Sequence, residues 1–381
     1  MRPSLVMANG LFVASALVWL LAAIVAFSQP FRAAPIPVFA QRLGTQAMVA
    51  ELNRGWYGFV LRLDGDRDVM QFKQAIDEIA AMNANGVLLE TPLFAQGPEA
   101  VVLTGEGAHG PSLTDMVSII DYANERGLGV VLVPTVVFAQ VSAGQSRSQF
   151  APADWERWWL SYERQMLRLA DLAEASKVEI FAVGSELGES EIMTSRWINL
   201  LAQARVRYSG LLMYNAQLER AARVAFWDHV DVIGVSAWLP PVESEDASPT
   251  NLESPWEQAL HEIDLLAAGH ERPVLLTAVG YPRLFTAAGP SREAAPGRES
   301  IGEEKLQAAS LSDFLTRFEA VDSRKSHRVG FFVYRWEPSD EALADSNEAS
   351  ADSKSLVIEV RQAQGIVRDA FGRLAARREP P

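Results

Sequence analysis

The sequence predicts an α/β protein, a (β/α)8 TIM barrel preceded by an N-terminal transmembrane helix. Three observations carry that reading. From Gly55 onward, short β-branched or aromatic runs alternate with longer amphipathic stretches, the pattern of strand–helix units around a parallel sheet. Many of the short runs are almost wholly apolar, as strands buried on both faces must be. Eight such units fit into residues 51–381, the length of a barrel with insertions. A doubly wound open sheet is the competing arrangement, but no Gly-x-Gly-x-x-Gly or P-loop pattern follows the first strand.

The elements follow in order. Residues 1–28 read as an anchor or a signal. Gly10 to Phe27 contains no charge and no proline; with Val6 and Met7 it reaches the roughly 20 apolar residues that span a bilayer. Arg2 and the amino terminus put positive charge on the leading side. A cleaved signal usually has a shorter apolar core, yet Ala26-Phe27-Ser28 could serve as its cleavage site. Either way the rest of the chain is expected outside the cytoplasm, in a periplasm if the cell has one. Residues 29–50, with Pro30, Pro35 and Pro37, read as a linker, and residues 51–381 as the barrel.

The expected strands are Tyr57–Leu61, Gly86–Leu89, Gly129–Val133, Glu179–Val183, Leu211–Tyr214, Val232–Val235, Val274–Leu276 and Gly330–Val333. The expected helices are Asp68–Met82, Ser112–Arg126, Ala153–Ala175, Ile192–Tyr208, Pro255–Ala268, Glu303–Phe318 and a last one over Ser355–Arg377. Pro240–Asn251, Ala287–Ser300 and Ser339–Ser355 are acidic or turn-rich and follow strands, so they are expected as loops at the C-terminal rim.

Composition removes several classes of function. With 34 Lys+Arg against 48 Asp+Glu, the net charge of −14 argues against a nucleic-acid partner. The absence of cysteine excludes disulfides, thiolate metal sites and a cysteine nucleophile. With 5 His and no ligand-like spacing, no metal site is expected.

Barrel chemistry collects where strands end. Glu186 follows the apolar strand Phe181-Ala182-Val183 and sits between Gly184 and Gly188, where the backbone can turn sharply. A carboxyl there suits acid–base work on a glycosidic oxygen; it could equally be a helix-terminal or solvated loop carboxylate. Trp238, Tyr281 and Trp336 also fall at strand ends. Each alone could be a packing residue, whereas three together point to a carbohydrate cleft.

Between Trp155 and Tyr281 the chain resembles glycoside hydrolase family 113, endo-β-mannanase-type enzymes of the large clan of retaining (β/α)8 glycosidases. The segments that carry the resemblance are Trp155…Trp158-Trp159…Tyr162, Phe181 to Leu187, Arg207 to Gly210 leading into Tyr214-Asn215-Ala216, Phe226-Trp227 before Asp231 to Gly234, Trp238-Leu239-Pro240, and Arg272 to Thr277 with Val279-Gly280-Tyr281. Weaker similarity extends from Gly55 to Trp336. The resemblance implies that Glu186 is the general acid/base and that no cofactor is required; Tyr214, Asn215, Trp238, Tyr281 and Trp336, at or near strand ends, are the residues expected to bind the sugar. It also implies a carboxylate nucleophile ending strand seven, in a Thr-Glu-x-Gly-Tyr pattern. This chain has Thr277-Ala278-Val279-Gly280-Tyr281, so the nucleophile position is Ala278. A second departure is Thr135, where the family usually has His after the strand-three proline.

Retaining hydrolysis needs two carboxyls about 5–5.5 Å apart, and losing the nucleophile removes orders of magnitude in rate. Glu90 and Glu337 are the alternative second carboxylates, either of which could act as a base in an inverting mechanism. Three readings follow: a glycosidase-like barrel that binds a glycan without turnover, or serves as an accessory subunit of a membrane assembly; a working hydrolase with a relocated carboxylate; and a purely structural subunit of a membrane complex. The partners expected are a glycan or oligosaccharide, the membrane through the N-terminal helix, and other membrane-complex proteins.

Overall fold

A computed structural model describes residues 52, 55–65, 67–105, 110–138, 150–239, 254–280, 299–320, 327–336 and 361–377. The expected anchor and linker over residues 1–50 lie outside these, as do Tyr281, Glu337, Pro240–Asn251, Ser339–Ser355 and all but the last two residues of Ala287–Ser300. Among the described residues no helix is long and apolar enough to cross a membrane.

Eight parallel strands close into a barrel in sequence order: β1 (Trp56–Arg62), β2 (Gly86–Ala95), β3 (Gly129–Phe138), β4 (Ile180–Ser185), β5 (Leu211–Gln217), β6 (Val232–Trp238), β7 (Val274–Gly280) and β8 (Arg328–Val333). The helices are α1 (Val69–Ala81), α2 (Leu113–Glu125), α3 (Trp155–Ala175), α4 (Thr194–Arg207), a single turn α5 (Leu218–Ala221), α6 (Pro255–His270), α7 (Glu299–Ala320) and α8 (Arg361–Ala376). All eight expected strands are present. β2 and β3 run on in register past Pro92 and Pro134 to Ala95 and Phe138. A proline removes one donor without ending extended backbone.

Local chemistry fixes the helix starts. Asp68 caps α1 and Ser112 caps α2, each paired reciprocally with the residue three further on. Asp154 caps α3, and Ser254 caps α6 with Pro255 in its first turn.

Side chains alternate across a strand, so each strand splits its residues between two cores. Trp56, Val60, Leu88, Val131, Ile180, Met213, Val232, Leu275 and Phe332 fill the barrel interior. Their neighbours, among them Phe59, Leu89, Leu132, Phe181, Leu212, Ile233, Leu276 and Phe331, pack under the helices. This alternation determines which residues at the strand ends face the mouth.

Candidate active site

At the C-terminal end of the barrel the interior turns polar. β4 reaches it through an irregularity between Ala182 and Ser185. Gly184 is required there because a Cβ would lie 2.8 Å from the Trp197 ring and 2.9 Å from the Tyr162 hydroxyl. The chain then turns at Glu186, which has φ +55°, a left-handed conformation that costs a non-glycine residue about 1 kcal/mol or more. The turn is held because the Glu186 N–H donates to the Asn215 carbonyl at 2.8 Å.

Both carboxylate oxygens of Glu186 accept a hydrogen bond. The Ser236 hydroxyl donates to Oε1 at 2.5 Å, and the Gln217 amide donates to Oε2 at 3.3 Å. Behind it, Tyr214 donates its hydroxyl to Glu191 Oε1 at 2.9 Å and accepts from the Leu187 N–H at 3.3 Å. Arg220 donates to Glu191 Oε2 at 3.0 Å and to the Gly188 carbonyl at 2.6 Å. Burial pushes the Glu191 carboxyl above its ordinary value, against the pull of Arg220 and Tyr214. This network fixes the segment from Leu187 to Glu191 that follows Glu186.

Asn215 joins β5 to its neighbours. Its amide donates to the Ser185 hydroxyl at 2.9 Å, and its carbonyl accepts from the Thr277 hydroxyl at 2.5 Å. β7 shifts register between Leu276 and Val279; Leu276 and Val279 face the helices while Ala278 joins the barrel interior. Ala278 pairs in register with Ser236, the residue that holds Glu186, and is 7% exposed. Glu186 and Ala278 therefore flank one serine.

The other side of the mouth is ionic. Arg62 on β1 pairs with Asp64 and lies 3.5 Å from Glu90 on β2. Burial works against the Arg62 charge, but Asp64, Tyr334 and Glu90 raise its pKa above the ordinary value. Trp238 meets Tyr334 edge to face, with ring centroids 4.7 Å apart, and lies over Gly280, where a Cβ would come within 2.4 Å of the indole. Thr135 is buried and donates weakly to the Val133 carbonyl at 3.5 Å. Among the described residues no cluster of His, Asp or Glu could hold a metal ion.

Glu186, Asn215, Trp238, Ala278 and Glu90 thus gather at the mouth. Two expected residues do not. Tyr214 turns outward among Trp197, Phe226 and Trp227. Trp336, 8% exposed, packs on Phe59 and donates its indole N–H to Glu78 on α1 at 2.8 Å. Both are packing residues of the helix layer: strand alternation sends Tyr214 away from the mouth, and Trp336, past the end of β8, is held outward by Glu78. Sequence reading missed Arg62, Gln217, Ser236 and Tyr334. Each lies an even number of residues beyond an inward-facing position, at Val60, Met213, Val232 and Phe332, and that parity is the signal that would have found them.

A family model for Glycoside Hydrolase Family 113 matches residues 57–358. Curated proteins give no match. Among solved structures, a β-1,4-mannanase of that family superposes with TM-score 0.67 at 22% identity, over 84% of this chain and 99% of the other. The β-mannanase from Alicyclobacillus acidocaldarius gives TM-score 0.67 at 23% identity, over 85% and 99%. An endo-β-1,4-mannanase from Thermotoga petrophila gives TM-score 0.57 at 11% identity, over 86% and 78%.

Proposed function

Because the chain belongs to glycoside hydrolase family 113, we propose that it is a membrane-anchored, extracytoplasmic barrel that binds a β-linked glycan and has lost retaining hydrolysis. The carrying observation is Ala278, turned into the mouth in register with the serine that holds Glu186. Retaining hydrolysis divides its labour between an attacking carboxylate and a proton-shuttling one. Glu186 supplies the second, and a methyl group cannot attack an anomeric carbon. β-Mannosides are the first glycans to test, since the superposed relatives are described as β-mannanases.

Reducing ends released from β-1,4-manno- and gluco-oligosaccharides by the full chain in detergent are the test. The wild type stays at background, and Ala278→Glu gains hydrolysis that a further Glu186→Gln removes. Wild-type hydrolysis at ordinary enzyme rates, abolished by Glu186→Gln, would overturn this reading. It would favour the alternative in which Glu90, which shares the mouth, serves as the second carboxylate. Anchoring rests on the uncharged run Gly10–Phe27. The native protein is expected to stay with membranes through carbonate extraction and to be released by deleting residues 1–28; extraction of the intact chain would refute the anchor.

A further inference from the structure

We propose that the outward face of α3 and α4 is a membrane-contact surface, which lays the barrel on its side against a bilayer containing anionic lipid. The inference takes the anchor from the reading above and uses nothing of the mouth.

α3 turns Arg157, Leu160, Arg164, Leu167 and Arg168 to one side, at the three- and four-residue steps that bring side chains together on a helix. All but the half-buried Leu167 are exposed. α4 contains Arg196, Arg205 and Arg207 and no acidic residue. The two helices are fastened side by side at both ends. Arg196 pairs with Glu156, and Arg207 donates to Asp171 at 2.7 Å. Those pairs engage two of the exposed acids of α3, and the third, Glu174, accepts from Ser209. Arg157 and Arg164 enter no ion pair among the described residues.

Apolar exposure gathers on the same side. Leu160 is 67% exposed, Ile192 just before α4 80%, and Val206 in the last turn of α4 86%. Val102 adjoins them, next to the Leu103 whose N–H donates to Ser161 of α3 at 2.9 Å. These are four of the six exposed large apolar side chains among the described residues, and such a concentration marks a contact surface. The chain as a whole is acidic, with net charge −14. Arginines interspersed with exposed Leu, Ile and Val suit the boundary between anionic headgroups and acyl chains, which takes cations and apolar side chains together. The sequence between Phe27 and Gly55, at about 3.3 Å per extended residue, is long enough to let any side of the barrel turn to the bilayer. Barrel helices run alongside the strands. A barrel lying on α3 and α4 therefore opens its mouth along the membrane, toward glycan held at that surface.

The test places one fluorophore at a time on the full chain, which has no cysteine of its own. Leu160→Cys on α3 and Ser312→Cys at an exposed position of α7, on the opposite side of the ring, are labelled with nitrobenzoxadiazole. Each is reconstituted into phosphatidylcholine vesicles with or without phosphatidylglycerol, carrying a doxyl-labelled lipid as quencher. Quenching is expected at position 160 and not at 312, and more strongly with phosphatidylglycerol. Adding Arg157→Gln and Arg164→Gln is expected to lower the docked-to-free ratio at position 160 about 30-fold. Flotation of the same vesicles reports the anchor separately. A chain that floats without quenching at position 160, or with equal quenching at 312, would overturn the contact face and leave the anchor standing. Equal quenching in the two kinds of vesicle would overturn recognition of anionic lipid. A chain that floats with neither would overturn the face and the anchor together. Disulfide formation between unlabelled Leu160→Cys copies, in place of quenching, would overturn the lipid and assign the face to a second copy of the chain.

Discussion

Glu191 shows how much of this site is built behind the mouth. It is 3% exposed, never meets the barrel axis, and yet joins Tyr214, Arg220 and the segment following Glu186. Its carboxyl is raised above the ordinary value chiefly by burial. The consequence for stability has a definite sign. A group whose folded-state pKa is raised contributes stability that is fully present below its unfolded value, near 4.3 for glutamate. That contribution is lost as pH rises through the folded value. The melting midpoint of the wild type, relative to Glu191→Gln, is therefore highest in acid and declines as pH rises above the ordinary carboxylate range. A difference constant across that range would show that Glu191 titrates as an ordinary carboxyl.

At the scale of the element, strand existence was legible and strand facing was not. Apolar runs bounded by turn residues marked all eight strands, and the helices expected from Asp68, Ser112 and Pro255 begin at or within one residue of those positions. Facing depends on parity, which one irregularity resets. In β4 the irregularity before Ser185 leaves both Val183 and Gly184 toward the helix layer, the glycine against Trp197 and Tyr162, before the chain reaches Glu186. In β7 a similar shift puts Ala278 inside although Leu276, two residues earlier, faces out. β5 has no such shift, so Tyr214 and Asn215 part company, one to the helices and one to the mouth. Trp336 lies past the end of β8, where alternation no longer governs, and Glu78 captures its indole. A strand-end aromatic read from sequence is thus a candidate for either layer until the local parity is known. A polar residue such as Ser236, which looks idle in an apolar run, becomes the hinge of the site once it is known to face in.

For the whole molecule, closure of the barrel is the property on which the site depends, since Glu186 and Ala278 come from strands that only the closed ring holds in register. Closure is tightest at the opposite end. β1 passes between β2 and β8 with almost no clearance: a Cβ on Gly58 would lie 1.9 Å from the Gly86 carbonyl oxygen, and one on Gly330 would lie 2.0 Å from that of Trp56. These are backbone atoms in a ring, and one strand cannot retreat without moving its neighbours. Gly330→Ala is therefore expected to destabilise by about 3 kcal/mol or more, the upper end of overpacking penalties. Gly269 near the end of α6 is the contrasting case, with nothing within 4 Å of its would-be Cβ. There alanine removes unfolded-chain entropy and favours the helix, so Gly269→Ala should stabilise by about 0.5–1 kcal/mol. Denaturant titration of the two variants beside the wild type measures both. Equal effects would mean that the bottom of the barrel yields as readily as its surface. The register between Ser236 and Ala278 would then lose the rigid frame on which every chemical statement about the mouth depends.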